Sequence, residues 1–432
     1  MNEAVEVMVI GSGGREHAFA WKLAQSPAVK HVYVLPGNGG TALEDKVSNI
    51  EIELEDFDAI ANFAQQKKLA LTLVGPEVPL VNGIVDVFER RGLPCFGPKA
   101  EAAKIEGSKA FCKSFLSRHD IPTAAYGVFT DFEPARTFVA EIGAPVAIKA
   151  DGLAAGKGVL IAETFESAEA ILRSMLIDAK FGDAGKTVVI EEFLEGEELS
   201  FIVITDGKTI VPMATSQDHK QILVGDRGLN TGGMGAYSPS DLVDQAMYQQ
   251  IMTKIIEPTI SGFQQDGIEY RGFLYAGLML CAEGPKVIEY NCRFGDPETQ
   301  PILMRLQSDF YQLCLQVLNR NLQATPLSWD SRTAIGVVLA AGGYPETYRK
   351  GDVINGLDTI ATSPDYKIFH AGTKLDSGQI VTCGGRVLCA TVLADHIELA
   401  QTQAHQLLAK IEFADQYYRS DIGFKAIARL KS

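Results

Sequence analysis

A chain of 432 residues with a formal net charge of −15 has room for about two to four domains, each with a sizeable core. The acidic balance disfavours non-specific binding to nucleic acid or to an anionic membrane. No apolar run approaches the ~18 residues of a membrane span, and acidic residues before the first strand are unlike a secretory signal.

The seven cysteines are odd in number and show no C-x-x-C spacing, which argues against zinc and against a disulfide framework. These features predict a cytoplasmic protein with no nucleic-acid or membrane partner.

The first hundred residues read as an α/β unit. V-E-V-M-V-I (5–10) is a buried strand, G-S-G-G (11–14) a turn and residues 16–26 a helix. H-V-Y-V-L (31–35) and L-A-L-T-L-V (69–74) are further strands, the latter running into G-P-E-V-P-L, and C-F-G-P (95–98) closes the unit. Such alternation predicts a doubly wound parallel sheet. The glycine turn is not a dinucleotide fingerprint. Glu16 occupies the third glycine position, and Pro36 stands where a ribose-binding acid is expected. The turn remains either a phosphate cradle helped by Arg15 or a tight strand-to-helix connection.

A second unit begins near Ala100. E-G-S-K-A-F-C-K-S-F-L (106–116) is a helix with Ser108 as candidate N-cap, and its Lys109 and Lys113 lie one turn apart, a spacing usual for a solvated face. A-P-V-A-I-K-A-D-G-L-A-A-G-K-G-V-L-I-A (144–162) is a strand ending at Lys149, a loop with Gly152, Gly156 and Gly158, and another strand. Backbone amides of such a loop can cover a triphosphate, with Lys157 as counter-charge. It is no Walker A motif, because G-K-[ST] is missing. A glycine-rich hairpin is the plain alternative.

Residues 187–207 form two strands around an acidic bend. Glu191 to Leu194 can present backbone groups to an adenine edge, Phe193 or Leu194 can line its pocket, and Glu198 can accept from ribose hydroxyls. S-Q-D-H-K (216–220) and N-T-G-G-M-G-A-Y-S-P (230–239) read as flexible loops that close over substrates. His219 is as readily an isolated surface histidine as a reacting group.

The most informative stretch is V-I-E-Y-N-C-R-F-G-D-P-E-T-Q (287–300). Two-residue periodicity puts Glu289 and Asn291 on one strand face, offering hard oxygen ligands to Mg²⁺ or Mn²⁺. Arg293 extends that row and would offset charge on a transferring phosphoryl group. From about Ser328 short strands (333–345, 367–373, 386–393) and a helix (397–411) predict a small α+β domain. Its Gly384, Gly385 and Arg386 either contact substrate or form a hairpin turn.

Taken in order, these features resemble the ATP-grasp superfamily: a lysine helix, a strand lysine with a glycine hairpin, an acidic bend, then an E-x-N strand. G-S-G-G-R-E-H-A, G-P-E-V-P-L, K-A-D-G-L-A-A-G-K-G-V, S-Q-D-H-K, N-T-G-G-M-G-A-Y-S-P and N-C-R-F-G-D-P-E-T-Q resemble, within it, the phosphoribosylamine–glycine ligase family. The resemblance spans essentially the whole chain. It implies an N-terminal α/β domain (1–103), an ATP-grasp domain (104–327, lid about 123–190) and a C-terminal α+β domain (328–432). With the chain ending at Ser432, a stand-alone enzyme of purine synthesis is expected.

The resemblance further implies that MgATP phosphorylates glycine and that the amine of 5-phosphoribosylamine attacks the glycyl phosphate. Lys109, Lys149, Gly156, Lys157 and Gly158 would hold ATP phosphates, and Glu191, Phe193, Leu194 and Glu198 its adenine and ribose. Glu289 and Asn291 would hold metal. Arg293 would be catalytic, with Asp218 and Lys220 of S-Q-D-H-K beside it. Gly13, Gly14, Arg15, Glu77, Gly232, Gly233, Met234, Gly235, Asp296 and Glu298 would contact glycine and phosphoribosylamine. A carboxylating or formylating ATP-grasp enzyme is the alternative.

Overall fold

The computed structural model describes residues 4–153, 158–178, 180 and 182–431. Its N-terminal sheet has five strands, all parallel, with Val5–Gly11 at the centre. Val29–Pro36 and then Val47–Asn49 lie on one side of it, Leu71–Val74 and then Cys95–Phe96 on the other. Strand order therefore reverses beside Val5–Gly11. At such a switch point, turns leaving the carboxyl ends of the strands diverge and leave a crevice. The G-S-G-G-R-E and G-P-E turns flank that crevice.

The predicted helix is observed as Lys109–Arg118, and a separate helix, Ala100–Gly107, precedes it. Ser108 breaks them apart and caps the second, its hydroxyl accepting from Phe111 N at 3.0 Å. A four-stranded antiparallel sheet follows, ordered Tyr126–Phe129, Val188–Glu192, Val146–Ala150 and Val159–Ala162. Helices Phe132–Ile142 and Phe165–Leu176 cover it and give it its own small core around Val139, Ile148, Leu172 and Ile190.

The acidic bend leads out of this sheet into another. Glu197–Thr205 lies between Ile210–Pro212 and Gly272–Cys281, and Gly284–Asn291 forms the far edge. A bulge at Ile288 precedes Glu289 but leaves the alternation beyond it intact. Tyr290 points into the core and hydrogen-bonds Thr259, so Glu289 and Asn291 share the opposite face, as the sequence predicts.

The two polar segments at 216–239 differ from expectation. They contribute strands Gln217–Asp218 and Gly235–Ser238 to the antiparallel C-terminal sheet, which continues with Thr333–Ala340, Arg386–Ala394 and Tyr366–His370. Their polar composition, with the glycines of 230–239, reads as loop, yet long-range pairing decides their structure. No helix among the described residues is long and apolar enough to cross a membrane.

Candidate active site

The site lies where the sheet of Tyr126–Phe129, Val188–Glu192, Val146–Ala150 and Val159–Ala162, the Gly284–Asn291 edge and the C-terminal sheet meet. Ala147 pairs opposite Glu191, which puts Lys149, two positions on, diagonally across on the same face. Lys149 Nζ lies 2.8 Å from Glu191 Oε1. That oxygen is buried and has no well-aligned hydrogen bond. Lys109, at the start of its helix, donates to the Gly152 carbonyl at 3.2 Å. Burial holds its pKa below the usual lysine value, with Lys149 adding to the effect and Glu289 opposing it.

Lys220 links Glu198, on Glu197–Thr205, to the edge strand. Its ammonium lies 2.9 Å from Glu198 Oε2 and 3.5 Å from Glu289 Oε1. Burial alone would depress its pKa, but Glu198, Glu289 and Asp218 together raise it well above the ordinary value. It is therefore a permanent cation and no proton acceptor. The Asp218 pKa rises too: burial lifts it well above the usual range, helped by Glu298 and Glu198 and against the pull of Lys220.

Glu289 itself is partly exposed, and although burial disfavours its charge, Lys220, Lys149 and Lys109 hold its pKa below the usual value. The Asn291 amide is oriented by its neighbours. Its nitrogen donates to Glu106 Oε1 at 3.1 Å and to the Tyr290 carbonyl at 3.2 Å, which leaves the side-chain oxygen for a ligand. One carboxylate and one amide oxygen fit a hard divalent cation that keeps phosphate and water as its other ligands. No cluster of three or more acidic, histidine or cysteine side chains suited to a metal occurs among the described residues.

Arg293 does not extend the metal row. The strand ends at Asn291, and the guanidinium turns toward Glu106, 2.8 Å away, and Glu77, 3.4 Å away. Its Nε is buried without a well-aligned partner. Glu106, which sequence reasoning missed, also accepts from Cys292 N at 2.8 Å. Nothing local marks it, because its partners lie about 190 positions away, as the separation of 186 from Cys292 shows.

A second group of residues gathers at the switch-point crevice. Glu16, in place of the missing glycine, accepts from Gly13 N and from Arg15 Nε, both at 2.6 Å. Arg15 also donates to the Phe294 carbonyl. Gly14 has no room for a side chain against Gln300, whose amide donates to Asp296 Oδ1 at 3.0 Å. Arg386, from the C-terminal sheet, donates to the Gly232 and Asp296 carbonyls and approaches Asp296 Oδ2 at 3.3 Å. Gly232 N donates in turn to Tyr344 Oη at 3.1 Å. Arg386 is thus a clasp between two loops, a role that a hairpin turn alone would not have. Glu298 accepts from Ser200 Oγ at 2.9 Å, and Ser200 hydrogen-bonds Tyr275 Oη at 3.0 Å.

Other predicted residues stand apart from these groups. His219 is buried, and its Nε2 accepts from Gly423 N at 3.0 Å, so it is a packing histidine between Tyr237 and Phe424. Met234 is fully buried in the C-terminal core, while Gly233 and Gly235 take positive φ, at 110° and 158°. Phe193 is exposed and Leu194 half-buried. Gly156 and Lys157 lie outside the described residues, whereas Gly158 accepts from Ala150 N. Lys113, at the solvated-face spacing, is in fact 2% exposed, because Glu191 supplies a buried counter-charge.

This chain resembles known proteins along nearly its whole length. Three family profiles match in succession: "Phosphoribosylglycinamide synthetase, N domain" over residues 5–106, its "ATP-grasp (A) domain" over 107–299 and its "C domain" over 334–425. A protein of Vibrio vulnificus named phosphoribosylamine–glycine ligase is 56% identical over 98% of this chain and 99% of its own length. The crystal structure of a phosphoribosylamine–glycine ligase from Thermotoga maritima superposes with a TM-score of 0.84 at 34% identity, covering 97% of this chain and 100% of that one. A biotin carboxylase domain of 2-oxoglutarate carboxylase from Hydrogenobacter thermophilus, solved with MgADP, shares the fold at a TM-score of 0.74 and 16% identity, over 97% of this chain and 92% of that one.

Proposed function

This chain belongs to the phosphoribosylglycinamide synthetase family and carries its ATP-dependent glycine-ligase activity in purine synthesis; from that premise we propose how its side chains share the reaction. The substrates are glycine, 5-phosphoribosylamine and ATP with Mg²⁺ or Mn²⁺, and the products glycinamide ribonucleotide, ADP and phosphate. A glycine carboxylate oxygen attacks the γ-phosphorus and ADP leaves. The sugar amine then attacks the acyl carbon of the glycyl phosphate, phosphate departs and the amine loses a proton.

Lys109 and Lys149, with Lys157, hold the phosphates, and Glu198 meets the ribose. Glu191 and the bend after it hold adenine through Phe193 and Leu194. Glu289 and Asn291 would hold the divalent cation, which would supply charge neutralisation at the phosphate oxygens. Lys220 stays charged and keeps Glu198 and Glu289 in register, while Asp218 beside it is suited to take the amine proton. Arg293 faces the charge that builds on the transferring group. The crevice of Gly13, Gly14, Arg15, Glu77, Asp296 and the Gly232–Gly235 loop holds phosphoribosylamine and glycine, with Glu298 beside it. Positioning and charge compensation dominate such transfers.

The observation that carries this reading is Lys220 bridging Glu198 and Glu289 beside Lys109 and Lys149. It joins a nucleotide-binding strand to a metal-binding one. We place the protein in the cytoplasm as a monomer or weak dimer. The test is ADP release with glycine and freshly made phosphoribosylamine, each omitted in turn. Turnover that depends on both supports the reading, and turnover driven by bicarbonate or formate instead overturns it.

A further inference from the structure

The Glu191 carboxylate sits between two ammonium groups, Lys113 Nζ at 2.8 Å from Oε2 and Lys149 Nζ at 2.8 Å from Oε1. All three side chains are buried. The two lysines are not equally held. Lys113 also donates to Thr123 Oγ1 at 2.7 Å, and that hydroxyl donates to the Val287 carbonyl at 2.7 Å. Lys149 has only a long second contact, to the Ile288 carbonyl at 3.4 Å. Two buried cations on one carboxylate leave surplus positive charge, which is costly until an anion completes the set.

We propose that Lys113 is a positioning residue that keeps Glu191 neutralised, so that Lys149 is free to move from that carboxylate to a nucleotide phosphate. Without Lys113, the departure of Lys149 would strand an unpaired buried carboxylate. Lys149 would then stay on Glu191, and the phosphates would lose a counter-ion. The inference rests on the reading of Lys149 as a phosphate contact.

Removing the charge with little change in shape, Lys113→Met, should weaken binding of a non-hydrolysable ATP analogue and raise the KM for ATP, each on the order of tenfold or more. The kcat at saturating ATP should change much less. Measured in a double-mutant cycle, Glu191→Gln should cancel most of the Lys113→Met effect, because no carboxylate then detains Lys149. A lysine that merely packs would give additive losses, and additivity overturns the proposal. So does unchanged ATP affinity in Lys113→Met when Lys149→Met loses it. Unchanged affinity in Lys149→Met overturns instead the assignment of Lys149 itself. If Lys113→Met does not fold, Lys113→Gln, whose amide still reaches Thr123, carries the same comparison.

Discussion

His17 Nδ1 accepts a hydrogen bond of 2.8 Å from the backbone N–H of His370, 353 positions away, and so ties the first glycine-turn helix to the C-terminal sheet. The same ring meets Glu44 through Nε2 at 3.1 Å, and Glu44 pairs with Lys367 at 2.8 Å. An accepting Nδ1 requires the neutral ring with its proton on Nε2. The contact between the two domains that flank the crevice therefore depends on His17 remaining uncharged. Burial, the largest influence, holds its pKa below the ordinary value, against the pull of Glu44.

Stability should fall on the acid side of neutrality. Burial, with His17 and Lys367 nearby, pushes the His370 pKa down to about 3, and burial with Arg419 holds His219 at about 4. In the unfolded chain both take a proton near pH ~6.5, so folding expels protons. Their contribution is complete above that pH and is lost as pH falls toward the folded values. Melting temperatures should drop between about pH 7 and about pH 5, and less steeply in His219→Gln than in the parent. Equal slopes would mean that His219 binds its proton as readily in the folded protein as in the unfolded chain.

Glu289→Gln should cut turnover by about 10²-fold or more while leaving the melting temperature close to the parent's. The side chain is partly exposed and its partner Lys220 keeps Glu198, so the fold loses little. Near-normal turnover at ordinary Mg²⁺ would remove this strand from metal binding.

Arg293→Lys should lower kcat by about 10²-fold, much more than it raises the KM for ATP, and should also lower the melting temperature. Lysine keeps the charge but cannot span Glu77 and Glu106, which the guanidinium joins. Steady-state kinetics and a melt on one variant separate the roles. A lowered melting temperature with a normal kcat would leave Arg293 with a structural role alone.

Gly75→Ala should impair phosphoribosylamine use and cost about 1–3 kcal/mol of stability. A Cβ at Gly75 would collide with the Glu16 carboxylate, which is fixed by Gly13 N and Arg15 at 2.6 Å each. The KM for phosphoribosylamine should rise with that for ATP little changed. An unchanged KM for phosphoribosylamine would detach the turn from that substrate.

Sequence alone determined what depends on local geometry. Two-residue alternation placed Glu289 and Asn291 on one face and Tyr290 on the other, since a strand has no other way to direct them. Strand and helix alternation gave the parallel N-terminal sheet, and Glu16 in a glycine position ruled out the dinucleotide turn. Only the tertiary structure decided which charges are buried and with whom. Lys113 looks like a solvated residue until Glu191 comes within 2.8 Å, and Arg293 like a free cation until Glu77 and Glu106 enclose it. The two polar segments became strands because Thr333–Ala340, a hundred positions on, pairs with Gly235–Ser238. A charge can be buried only beside its partner, and a strand exists only beside another. Where the partner is distant in sequence, chain folding alone supplies it.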